Sequence, residues 1–398
     1  MSNTTAAAAD RRLAGRRRFY KHVGIAPIAP PSSSSSSSSS SLSLGKTTTT
    51  TATDEMVDSP ISAGIDGTQS ASGVHTSLTN ADLWLDMINP RRRHRRLGGS
   101  ESASADEESL SWYTITLDGR TLRTPLGLPL SIPSLQLAIA IASEWDAQKT
   151  HLRPAQMPLM TLCCTTLDQV ANNPTSHQGD ILRYLANDTT CYYANPNNSK
   201  ERPLYKRQCS AWDGLHSYII TTVLGINNND DDDDDGSTII QPACAMGEHE
   251  AISLSRRRTS SSSSSDSSSS TTTTNSSYSG LPHPPMLIKH ARQWVQSLDA
   301  WTLTALYSAC VESKSFFVGA ALIHTAMNNN QQTPMNTNNA STNAISRDGA
   351  WAVNAARVEE EFNIECWGLV EGGHDYDRLN CSVQMYAASF MVRTVSNC

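Results

Sequence analysis

The sequence predicts an α+β domain followed by an all-helical one. Apolar residues alternate at period two only in the first part of the chain, and every compositionally normal stretch after Ser134 repeats them at helical spacing. Low-complexity tracts interrupt both parts. Residues 32–41 are all serine, 47–51 all threonine, 230–235 all aspartate, and 260–274 are serine and threonine around Asp266. Such tracts bury too little apolar surface to offset their ordering entropy, so disorder is expected there. Of the 398 residues, what remains is roughly 240, one or two compact domains. The aspartate run also carries almost all of the formal net charge of −7, so charge says little about partners.

In the first domain, expected over 19–200, Phe19, Val23 and Ile25 share one side of a strand at 19–27. An insertion at 28–109 follows and is expected to be disordered. Tyr113, Ile115 and Leu117 then alternate with Trp112, Thr114 and Thr116; Asp118-Gly119 suits a tight hairpin turn, and 120–124 returns. Ser134 can cap a helix whose Leu137, Ala138, Ile141, Ala142 and Trp145 share a face. Leu159, Leu162, Cys163, Thr166, Leu167 and Val170 mark a second helix, and 180–186 a third.

The second domain, expected over 201–398, begins with a helix through Trp212, Leu215, Ile219 and Val223. A disordered insertion is expected at 227–279 and another at 328–343. Between them lie helices around Trp294, around Trp301 to Cys310, and from Phe316 to Met327, where Gly319 and Ala320 permit close approach of a neighbour. No convincing strand occurs after Trp212, so a helical bundle is expected. Trp351, Ala355, Val358 and Phe362 predict one helix that Gly368 ends. Gly372-Gly373 makes an elbow, and His374-Asp375 opens a last helix with Leu379, Val383, Ala387 and Phe390 or Met391 as its stripe. Glu371, Asp375 and Asp377 collect at that elbow, where unpartnered backbone N–H groups favour negative charge.

Chemical motifs are sparse. Nine cysteines contain no C-x-x-C pair, which reads as a reducing compartment without a zinc ribbon or disulfide framework. No apolar run reaches the 18 to 20 residues of a membrane span. The basic run at 91–96 lacks interleaved aromatics and reads as solvated filler rather than a nucleic-acid surface. Gly45-Lys46-Thr47 lacks the glycine and the preceding strand of a phosphate-binding loop. Glu371 and His374 imitate one arm of a carboxylate-bridged di-metal bundle, but two glycines interrupt the pair and no second copy exists. Glu359-Glu360-Glu361 reads as a solvated helix face, with one of them in reach of Arg357. Residues 1–18 carry five arginines and one acid, a composition that suits an organellar targeting segment. No active site is visible in these residues.

Seven blocks, in order, are specific enough to resemble a family. They are Arg17-Arg18-Phe19-Tyr20-Lys21, Leu117-Asp118-Gly119-Arg120, Glu144-Trp145-Asp146 with Gln148, residues 157–169 (MPLMTLCCTTLDQ), Asp188 to Tyr192, Lys314-Ser315-Phe316, and Arg357 to Asn380. Together they resemble the mitochondrial ATP synthase assembly chaperones that bind the free α subunit of the catalytic head. The resemblance implies an α+β domain with a small antiparallel sheet, a C-terminal orthogonal helical bundle, and a monomer in the mitochondrial matrix. It also implies a non-enzymatic role without cofactor, nucleic acid or membrane: keeping the unassembled α subunit from aggregating until the β subunit replaces it. Glu371, with Asp375 and Asp377, is then the expected partner-binding group. The alternative is a metal-dependent hydrolase or oxygenase using Glu371, His374 and Asp375. The three long insertions and the short presequence depart from the family pattern.

Overall fold

The computed structural model describes residues 15–31, 80–89, 112–226, 240–247, 250, 280–328, 346–370 and 372–396. Strand β1 (Val23–Ile28) pairs antiparallel with β2 (Trp112–Leu117), with Ile25 opposite Ile115, and β2 turns back into the short β3 (Arg120–Thr121). Asp118 and Gly119 both take positive φ at this turn, 47° and 79°, the geometry that matches the twist of a two-residue hairpin. The Asp118 carboxylate accepts from the backbone N–H of Lys21 and His22 at 3.0 and 2.8 Å, tying the start of the chain to the hairpin. Those two bonds hold its pKa below the ordinary value. The strand begins later than the sequence suggested, and Phe19 lies outside it, exposed.

One helix covers this sheet and the later ones build the bundle. Ser134 caps α2 (Leu135–Asp146), which lays Leu137, Ala138, Ile141 and Trp145 on the sheet. Then come α3 (Pro158–Thr165), continued as a π turn through Val170, and α4 (Pro174–Ala186). The central helix is α8 (Ala300–Ser313), preceded by α5 (Arg202–Ala211), the short α6 (Leu215–Tyr218) and α7 (Pro285–Ser297). It is buried on nearly every side, from Ala300 to Ser313, and packs on α4, on α9 (Phe316–Asn328) and on α12 (His374–Val395). A Cβ at Gly319 would lie 2.8 Å from Cys310 Sγ, so the expected close approach of α9 to its neighbour is real, and the neighbour is α8. Phe316 and Phe317 are fully buried; burying side chains of that size contributes about 1.5 to 3 kcal/mol each. One continuous apolar core runs from Tyr20 to Val395 through both halves of the chain.

Several expectations need correction. The 28–109 insertion contains a helix, α1 (Asn80–Ile88), with Leu85, Met87 and Ile88 buried. The Trp84 indole donates to the Leu167 carbonyl at 3.2 Å, and Trp301 donates to the Ile88 carbonyl at 2.8 Å. Its apolar run, Leu-Trp-Leu-Asp-Met-Ile, is short and lies between long polar tracts. Within the 227–279 insertion, β5 (Ala245–Met246) pairs in parallel with β4 (Tyr192–Tyr193). The helix Arg202–Ala211 lies before the expected helical start at Trp212. The expected targeting segment 1–18 reaches into the fold: Leu152 N–H donates to Arg16 O, and the Arg18 side chain donates to the Gln148 carbonyl at 2.6 Å. Residues 1–14 lie outside the described residues. Among the described residues no helix is long and apolar enough to cross a membrane, and no disulfide joins the described cysteines.

Candidate functional site

The acidic elbow lies between α11 (Val358–Trp367) and α12. The single helix expected through Trp351 and Phe362 is two, α10 (Gly349–Ala356) and α11, because Arg357 takes φ −110°, ψ 16° between them. That break buries the Arg357 side chain, whose Nη1 meets Glu360 at 2.8 Å and whose Nε meets Glu361 at 3.1 Å. Glu361 also pairs with Arg378 of α12, whose Nε lies 2.9 Å from it. On the other side Glu359 accepts from Gln208 at 2.8 Å, and Glu365 accepts from Arg207 at 2.8 Å. The glutamates of α11 are therefore the bolts that hold it against α5 and α12, not a solvated face. Trp212 adds a bond from its indole to the Ala355 carbonyl at 2.9 Å.

Beyond those bolts the chain projects. Gly368 at φ 92° ends α11 and Gly372 at φ 78° turns the chain into α12, so both breaks use the left-handed region open to glycine. Val370 closes the turn: its carbonyl accepts from Gly373 and His374 N–H, and its own N–H donates to His374 Nδ1 at 3.2 Å. Asp375 and Asp377 are exposed in the first turn of α12, and neither carboxylate takes part in a hydrogen bond or ion pair among the described residues. Glu371 lies outside the described residues. Among the described residues no group of three His, Cys, Asp or Glu side chains could hold a metal ion, and His374 spends one ring nitrogen on the turn.

The elbow is also apolar. Trp367 is 86% exposed, Val370 61%, Tyr376 70% and Leu379 61%, with Leu369 and Tyr386 exposed as well. Leu379 was expected on the buried stripe of α12. Ala387 and Met391 of that expected stripe are buried, but the main inward series is Cys381, Met385, Ala388, Met391, Val392 and Val395. That spacing is present in the sequence and would have assigned Leu379 to the opposite face.

Residues 100–219 match the family model described as "ATP12 chaperone protein". A mitochondrial ATP12 protein of Saccharomyces cerevisiae is 24% identical over 293 residues, covering 69% of this chain and 77% of that protein. Its namesake from Schizosaccharomyces pombe is 22% identical over 289 residues, covering 71% and 78%. Over these stretches the chain is similar to the ATP12 chaperones. The crystal structure of Atp12 from Paracoccus denitrificans superposes with a TM-score of 0.49 at 21% identity, covering 71% of this chain and 91% of that one.

The blocks that resembled the ATP12 family turn out to be joints. Arg18 and Tyr20 of the first meet the third: Tyr20 Oη donates to the Trp145 carbonyl at 2.6 Å, and the two rings stack edge to face. Glu144 accepts from Leu159 and Met160 N–H, each at 2.8 Å, at the start of α3. Asp168 accepts from Thr124 Oγ1 at 2.5 Å and from Leu126 N–H at 3.1 Å. Asp188, fully buried, accepts from Thr190 N–H, Thr190 Oγ1, Ser315 Oγ and Phe317 N–H between 2.7 and 3.0 Å, so it caps α9 from a distant part of the chain. Burial pushes Glu144 up to about 7 and Asp188 up to about 6, against the pull of those donors.

Proposed function

We propose that the chain is an assembly chaperone of the mitochondrial F-type ATP synthase, acting as a monomer in the matrix. It holds the unassembled α subunit and keeps it from aggregating until the β subunit takes its place. The match of residues 100–219 to the ATP12 chaperone model is the observation that carries this reading, and the mitochondrial naming of both curated relatives supports the compartment. We assign residues 19–200 to the supporting part and 201–398 to the part that presents the elbow. Glu371, Asp375 and Asp377 are the contacts, meeting a basic group on the α-subunit surface later covered by β. The exposure of Asp375 and Asp377, and their lack of a partner among the described residues, support this: an acid spent on internal structure would resemble Glu361.

Co-purification of the α subunit with wild type, Glu371→Lys and Glu371→Gln at low and high salt tests the assignment. A contact role predicts near-normal melting, lost capture for lysine and a weaker loss for glutamine, since charge reversal adds repulsion where neutralisation only removes attraction. A capping role predicts a lower melting temperature with capture intact below it. Equal capture by all three proteins removes Glu371 from the interface.

A further inference from the structure

Thirteen large apolar side chains are exposed among the described residues, and six of them fall between positions 367 and 386. Isolated exposed apolar residues are ordinary; a contiguous group marks an interaction surface. Tyr376, Leu379, Val383 and Tyr386 recur at i, i+3, i+7 and i+10 on α12, opposite the stripe through Cys381, Met385 and Ala388. Tyr376 and Leu379 are the open end of this series, Val383 is half-buried, and the Tyr386 ring, though exposed, borders Gly349 of α10. Asp375 lies one turn before Leu379, along the edge of the outer stripe. Asp377, two residues before Leu379, falls on the other side of the helix and does not border the stripe. Trp367, Leu369 and Val370 extend the apolar surface from the α11 side of the elbow.

We propose that this outer face of α12, together with the Trp367–Val370 corner, is a docking groove for one amphipathic helix of the client. That helix presents an apolar side to Tyr376, Leu379 and Trp367 and a lysine or arginine to Asp375. Two features of the surface select this occupant. The stripe from Tyr376 to Tyr386 extends about 15 Å at 1.5 Å per residue, the span of about three helical turns. At one end it carries an exposed carboxylate with no partner among the described residues, which matches a single cation rather than an uncharged strip. The rest of α11 cannot fill the groove, because its glutamates pin it to Arg207, Gln208, Arg357 and Arg378. The inference rests on the proposed function, since it takes the client to be the α subunit. It sharpens that proposal by making apolar burial the main attraction and by separating the roles of Asp375 and Asp377.

The test uses the full chain and purified ATP synthase α subunit. Trp367→Ser/Tyr376→Ser/Leu379→Ser should melt like wild type, because all three side chains are exposed, yet capture at least tenfold less α subunit at both low and high salt. Leu126→Ser/Leu135→Ser/Ile139→Ser, a control at exposed apolar positions elsewhere, should capture normally. Asp375→Lys should weaken capture several-fold at low salt and less at high salt, while Asp377→Lys has the smaller effect. Undiminished capture by the first triple variant overturns the groove and leaves the chaperone function standing. No capture by the wild type removes the function, and the groove with it. Concentration-dependent dimerisation that the first triple variant abolishes would make the surface an interface between two copies, which also overturns the proposal.

Discussion

Asp188 and Asp375 are both aspartates beside the start of a helix, and they do opposite things. Asp188 is fully buried and spends its oxygens on four donors, two on neighbouring Thr190 and two in the distant segment at Ser315 and Phe317. Asp375 is exposed in the first turn of α12 and spends nothing on the described structure. Both gain from the unpartnered N–H groups at a helix start. Only the first is needed for those groups to be satisfied. An internal acid is thus recognised by how completely it is bonded, and an acid available to a partner by its lack of bonds. The same division separates the α11 glutamates from the elbow acids only fifteen residues or so away in sequence.

The largest expected effect lies on the buried side. Asp188→Ala would leave the Phe317 and Thr190 N–H groups without an acceptor in a dry site, and should cost about 4 kcal/mol. Urea unfolding measures it, and a loss below about 1 kcal/mol would break the contrast with Asp375. Trp145→Ala should cost about 3 kcal/mol, because the indole is almost completely buried against Tyr20 and the emptied space cannot collapse. Capture of the α subunit below the melt should survive that change. Lost capture with an unchanged melting temperature would turn Trp145 into a contact residue.

Glu144 lets the comparison be made as a function of pH. Its folded pKa of about 7 lies above the ordinary carboxylate value because burial outweighs its two N–H donors. A raised carboxylate pKa means that the folded state holds the proton longer. Its stabilising contribution is fully present below about pH 4.5 and is lost as pH rises through about 7. Wild type should therefore lose of the order of 2 kcal/mol across that window relative to Glu144→Gln, whose side chain does not titrate. Parallel pH profiles of the two proteins would show that Glu144 is solvated like an elbow acid. The smallest stability effect belongs to the elbow: Asp375→Lys and Asp377→Lys should each change unfolding free energy by about 0.5 kcal/mol or less, as expected for exposed charges. A larger change would mean that the first turn of α12 depends on them.

The order of elements was legible because strand alternation and helical stripes survive wherever a segment has one wet face. The hairpin turn at Asp118-Gly119, the Ser134 cap and the stop at Gly368 could be placed from local chemistry alone. The break at Arg357 could not. Its cause is a buried arginine held by Glu360 and Glu361, and the sequence shows three adjacent glutamates without showing which one is used. For α8 the difficulty is different: a helix buried all round has little periodicity to read. At the elbow the acids were legible and the exposed apolar surface was not, because Leu379 fits either stripe until the inward series through Cys381 and Met385 is recognised. The joints made by Glu144 and Asp168 had no local signal, since each acceptor and its donors lie far apart in the chain. For Asp188 only the turn to Thr190 is local, while the bonds to Ser315 and Phe317 are not.

Helix α1 has nine residues, too few to hold a helix in water alone. It persists by docking, through Trp84 on Leu167 and Ile88 on Trp301. Covalent connection on both sides makes that docking unimolecular, equivalent to a local concentration of the order of millimolar that a detached peptide would have to match. A protease cut on one side alone leaves the helix leashed and able to return; cuts on both sides turn the same contacts into a weak two-body encounter. A deletion of 32–107 removes the helix and its contacts altogether, whereas one that spares 80–89 keeps them. The long segments flanking α1 therefore act as a retention device, whatever else they do.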